Sequence, residues 1–132
     1  MLNLRQIVCT LCLFLGILGA EAQSKARIDV DKQVFNFGSI EEAKGLASHV
    51  FTIRNIGETP LVISRVTASC GCTRPEWTKE PIAAGKTATL KVTYNPKGRP
   101  GPFYKTITIY SNAEKPRYNL AIKGNVIPKP KV

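Results

Sequence analysis

Two cysteines separated by one glycine, in Ser69-Cys70-Gly71-Cys72-Thr73-Arg74-Pro75, are the most chemically capable residues of this 132-residue chain. In an extended strand, residues i and i+2 point to one side with Cα atoms about 6.6 to 6.8 Å apart. A disulfide takes Cα separations of about 4.4 to 6.8 Å, so a small bend at Gly71 closes the ring and leaves a strained, reducible bond. Four chemistries fit the pair: a structural corner closed by a local disulfide, metal capture by two thiolates, thiol-disulfide exchange, and a disulfide to a partner's cysteine. Copper(I) accepts two soft sulfurs, whereas zinc wants four ligands and His49 is the only imidazole in the chain. Copper(I) on Cys70 and Cys72 is therefore the one cofactor the residues suggest. Exchange proteins usually place two residues between their cysteines and set them at a helix start, a pattern this chain lacks.

The remaining inventory is thin. Cys70 with His49 is the only nucleophile and base on offer, so an enzyme is the weakest reading and no catalytic residue is assigned. The segment Thr73, Arg74 and Trp77 reads as a long connection after the cysteines that could bind a partner. Trp77 could equally plug an open end of the fold, because Pro75 and Pro81 stiffen a segment that must bury something.

These residues need a scaffold, and the chain supplies it after a leader. Arg5 precedes an uncharged, mostly apolar run from Ile7 to Ala20. That run is too short for a membrane span, which needs roughly 17 to 25 residues, and fits a signal-peptide core of about 7 to 15. Ala20-Glu21-Ala22 predicts cleavage after Ala22, with Gln23 as the new N-terminus, so residues 1–22 form the leader. Cys9 and Cys12 lie too early for lipid attachment and leave with it, as do Arg5 and Glu21, so the formal net charge of +10 is unchanged. Export to the periplasm or the cell exterior places Cys70 and Cys72 where thiols are oxidised. No integral membrane span remains after cleavage.

From residue 23 onward the apolar period is two and no stretch sustains 3.6. Strands are predicted around Arg27 to Asp31, Val34 to Gly38, Phe51 to Arg54, Leu61 to Ala68, Thr89 to Tyr94, Phe103 to Tyr110 and Tyr118 to Val126. The apolar phase slips between Ile63 and Val66, which a bulge near Ser64-Arg65 reconciles. About seven short strands joined by short connections predict an all-β, antiparallel, immunoglobulin-like β-sandwich over residues 23–126. There is no widely spaced cysteine pair to staple two sheets. Ile127-Pro128-Lys129-Pro130-Lys131-Val132 reads as an extended basic tail, residues 127–132.

The 19 Lys+Arg against 9 Asp+Glu invite a nucleic-acid reading, yet the positive residues are dispersed without a run of five. Export removes nucleic acid as a partner. An envelope protein or an anionic envelope surface is the partner to expect. The nearest approach to a cluster is Lys97, Arg99, Lys129 and Lys131.

Taken in order, the motifs carry a resemblance. They are Phe35-x-Phe37-Gly38-x-Ile40, Phe51-x-Ile53-x-Asn55-x-Gly57-x-x-Pro60-Leu61-x-Ile63, Ser69-Cys70-Gly71-Cys72-Thr73-x-Pro75-x-Trp77, Pro81-Ile82-x-x-Gly85, Tyr94-Asn95-Pro96 and Ser111-Asn112. Together they resemble the bacterial domain-of-unknown-function family 1573, which is similar to Hydin-type and major-sperm-protein-type immunoglobulin-like modules. The resemblance implies an exported, envelope-associated sandwich without known catalysis, and it supplies no ligand. The reading is a non-enzymatic binding or scaffolding module, with a copper(I) or thiol-disulfide carrier using Cys70-Gly71-Cys72 as the alternative.

Overall fold

The computed structural model describes residues 25–131, so the leader, Ala22 and Gln23 lie outside the described residues. Eight strands follow in order: β1 (Ile28–Val30), β2 (Val34–Glu41), β3 (Ala47–Asn55), β4 (Ile63–Ala68), β5 (Thr73–Trp77), β6 (Thr87–Tyr94), β7 (Gly101–Ser111) and β8 (Arg117–Ile127). A single 3-10 turn, Glu42–Lys44, is the only helical element among the described residues. No helix there is long and apolar enough to cross a membrane. The strands form two four-stranded sheets, β1-β3-β6-β5 and β2-β8-β7-β4, packed face to face.

Alternation creates the interior. Along β3, Phe51, Ile53 and Asn55 point inward while Val50, Thr52 and Arg54 face solvent, and β6 repeats the scheme with Leu90, Val92 and Tyr94. Register lines these side chains into rows across the sheet: Phe51, Leu90 and Trp77 in one, His49, Val92 and Pro75 in the next. From the opposite sheet Ile107, Ile109, Leu120, Ile122 and Val126 close the core. Burying a large aliphatic side chain is worth about 1.5 to 3 kcal/mol. Thirteen buried Val, Leu and Ile residues meet among the described residues, without a disulfide between the sheets there.

Three expectations change. The strands number eight, because Thr73–Trp77 pairs antiparallel with β6 instead of forming a loop. Thr73, Arg74 and Trp77 therefore sit on an edge strand. Pairing is not wholly antiparallel either: β2 runs parallel to β8. Short connections imply antiparallel neighbours only for strands adjacent in sequence, and β2 and β8 are the second and last strands of the fold. The expected slip in β4 is present as a register shift between Ile63 and Arg65.

Candidate functional site

Cys70-Gly71-Cys72 lies where the chain leaves β4 in one sheet and enters β5 in the other, so the motif is a turn between sheets. The turn brings the two Cα atoms to 5.2 Å, well inside the disulfide range, and Cys70 is bonded to Cys72. Backbone contacts hold the turn independently of that bond. The Thr73 N–H donates to the Cys70 carbonyl (3.2 Å), and the Cys72 carbonyl accepts from the Asn95 N–H (2.8 Å). The Cys72 N–H donates to Cys70 Sγ at 3.1 Å, and the Thr73 hydroxyl lies 3.7 Å from Cys72 Sγ. Cys72 is only 6% exposed, whereas Cys70 is half-buried at the surface of the turn.

Joined as a disulfide, the sulfurs hold no thiolate, so copper(I) capture belongs only to the reduced pair. His49 is not brought to them. It stands two strands away on β3, in register with Val92, which in turn pairs with Pro75. Its ring stacks on Phe35 at 3.5 Å and meets Phe51 edge-on, and Nε2 is buried without a hydrogen-bond partner. Burial pushes the imidazole below its ordinary pKa, with Lys32 adding to the effect and Asp31 opposing it. No group of three or more His, Cys, Asp or Glu suited to a metal ion occurs among the described residues. Trp77 packs inward against the core from the edge strand, with its indole N–H buried and unpaired.

The same end of the sandwich gathers the connections 42–46 and 95–100, the turn at Cys70-Cys72 and the chain after β8. Glu42 ties them together: Oε2 accepts the Gly98 N–H (2.7 Å) and Oε1 the Lys129 N–H (3.2 Å). These hydrogen bonds hold its carboxyl below the usual carboxylate range, with the Lys129 charge assisting. Lys97 and Arg99, which flank Gly98, are thereby placed beside Lys129, with Lys131 two residues further on. All four are exposed. Next to them is a groove of about 400 Å³ whose lining includes Ile40, Leu46, Ala47 and Ile127 and the paired charges of Glu41 and Lys44 (3.0 Å), with Leu46 66% and Ile127 41% exposed. Sequence reasoning missed Glu42, Leu46 and the groove, since nothing local marks an acidic residue that caps a loop from a remote part of the chain.

The sheet edges, in contrast, are blunted. β1 is three residues long, β2 shifts register between Asn36 and Ser39, and β4 is bulged. On β5 the Asn95-to-Cys72 bond fixes the alternation, turning Arg74 and Glu76 toward β6 and the backbone of Thr73, Pro75 and Trp77 outward. Of those, the Thr73 N–H is taken by Cys70 and Pro75 has none.

A family model described as "Protein of unknown function (DUF1573)" matches residues 28–126. Comparison with curated proteins returned no match. Among solved structures, the chain is similar to a protein of unknown function from Porphyromonas gingivalis W83 (TM-score 0.68, 16% identity, 81% of this chain) and spans half the length of that protein. It is also similar to an ASH/PapD-like domain of human CEP192 (TM-score 0.65, 11% identity, 80% of this chain and 89% of that one). WR4, an MSP family member of C. elegans, matches at TM-score 0.51 and 14% identity, over 77% of this chain and 99% of that one. At these identities the likeness is one of fold alone, and the same fold also matches parts of enzymes, such as a Bacteroides ovatus GH5 xyloglucanase.

Proposed function

Because the chain belongs to the DUF1573 family, whose description assigns no activity, we propose that it is an exported, non-enzymatic binding module of the cell envelope. The partner is an envelope protein with an acidic surface, docked on the end that carries the Cys70-Cys72 turn. One observation carries this reading: exposed Leu46 and Ile127 flank a groove beside Lys97, Arg99 and Lys129, while every sheet edge is blunted. An apolar centre with a charged rim is the ordinary anatomy of a protein interface, and the positive rim selects acidic partners. Export is supported by the apolar run from Ile7 to Ala20 and by Ala20-Glu21-Ala22.

A photo-crosslinking residue placed at Leu46, compared with one at Val62 near the opposite end, tests the docking face in envelope fractions. Position 46 should give a discrete adduct that Lys97→Glu with Arg99→Glu abolishes, and position 62 should give none. Equal labelling at both positions overturns the assignment. Co-sedimentation with vesicles of anionic lipid, in place of a protein adduct, would transfer the face to a membrane surface. N-terminal sequencing of the same material should begin at Gln23, and retention of Met1 would refute export by this leader.

A further inference from the structure

The disulfide does little to hold the fold. It closes a loop of three residues, which removes little entropy from the unfolded chain, and the turn around it is already fixed by the Thr73-to-Cys70 and Asn95-to-Cys72 backbone bonds. Its two sulfurs are also unequal. Cys70 is half-buried at the surface, while Cys72 is buried and has the Thr73 hydroxyl close to its sulfur. A cross-link that adds little to the fold, partly exposed at Cys70 and placed at the same end of the sandwich as the docking face, is arranged for exchange.

We propose that the Cys70-Cys72 disulfide is a reversible covalent latch for a cysteine of the docked partner, with Cys70 as the attacked sulfur and Cys72 as the resolving thiol. The partner's thiol loses its proton to solvent, and its thiolate attacks Cys70 Sγ. A partner-to-Cys70 S–S bond forms, the Cys70-Cys72 bond breaks, and the electron pair leaves on Cys72 Sγ, which the Thr73 hydroxyl can solvate. One disulfide replaces another, so no external oxidant or reductant is consumed. Burial disfavours the charged Cys72 thiolate, and Gly71 keeps it next to Cys70. It therefore returns to Cys70 and expels the partner unless docking holds the partner in place. Non-covalent contacts at the end face thus decide how long the covalent bond lasts.

This inference rests on the binding-module reading for its partner, but its chemistry is testable without one, using glutathione and protein from the full chain, purified oxidised. Millimolar reduced glutathione should open the bond in the folded protein, seen by alkylation and mass, while near-ultraviolet circular dichroism stays unchanged. Wild type should accumulate little glutathione adduct, because Cys72 resolves it. With glutathione disulfide, Cys72→Ser should take up one glutathione at Cys70 at least about tenfold faster than Cys70→Ser does at Cys72. Opening only in denaturant, or equal rates in the two variants, overturns the latch. The wild-type measurement stands even if a variant fails to fold. Uniform crosslinking at positions 46 and 62 would defeat the docking face alone, and inert glutathione chemistry the latch alone.

Discussion

Asn55 is wholly buried, and each of its side-chain polar atoms is engaged. Nδ2 donates to the carbonyls of Thr59 (2.8 Å) and Ile82 (2.9 Å), while Oδ1 accepts from the N–H of Gly57 (3.0 Å) and of Arg27 (3.4 Å). Gly57 is required beside it, because a Cβ there would collide with the Lys25 carbonyl and the Arg27 nitrogen. Asn55→Ala should cost about 2 to 4 kcal/mol in a urea melt, since it strands several buried partners at once. Asn55 and Gly57 stood out in the sequence as part of a motif, and the joining of distant segments by one amide was not legible, since Arg27 and Ile82 are remote in sequence. His49 gives a second test. Its folded pKa lies below the unfolded value near 6.5, so the unfolded chain takes the proton first as pH falls. The contribution of the neutral ring is full above that value and is lost as pH drops through the folded pKa. Melts between pH 7 and pH 5 should show stability falling, and His49→Leu should flatten that slope.

At the scale of elements, period-two alternation made most strands readable, because the signal is local and each has an apolar face. β5 escaped for a physical reason: its inward positions are Thr73, Pro75 and Trp77, with no aliphatic residue among them. Proline in a strand signals either an edge or no strand at all, and here it marks an edge. Pro75→Thr would restore an outward N–H on β5, and self-association by sedimentation velocity should rise with concentration while the fold remains. Removing the disulfide tests the adjoining turn. Cys70→Ser with Cys72→Ser should lower stability by no more than about 1 to 2 kcal/mol, as expected for so short a closed loop. Loss of folding would show that the turn needs its cross-link. The cysteine pair itself was the clearest feature of the sequence, whereas the groove at the same end of the sandwich depends on contacts between distant segments.

For the molecule as a whole, Glu42 is the joint between the 95–100 connection and the C-terminal tail. Because its folded pKa is depressed, the clasp is complete above the ordinary carboxylate value and is lost as pH falls through the lower, folded one. The Gly98 and Lys129 amide protons should titrate with that carboxyl in NMR spectra. Glu42→Gln should weaken their protection from exchange at neutral pH without changing the core strands. The strand order carries a further consequence, for the timing of folding. β8 is an interior strand, flanked by β2 and β7, and yet it is the last of the described strands in sequence order. A nascent chain that stops short of residue 117 has the inner side chains of β2 and β7 but nothing to seat between them. This sheet can be completed only after residues 117–127 have been made, and pairing across so many residues is slow. The order of the strands thus keeps one half of the sandwich open until its eighth strand arrives, although the β1-β3-β6-β5 sheet has all its strands by Tyr94.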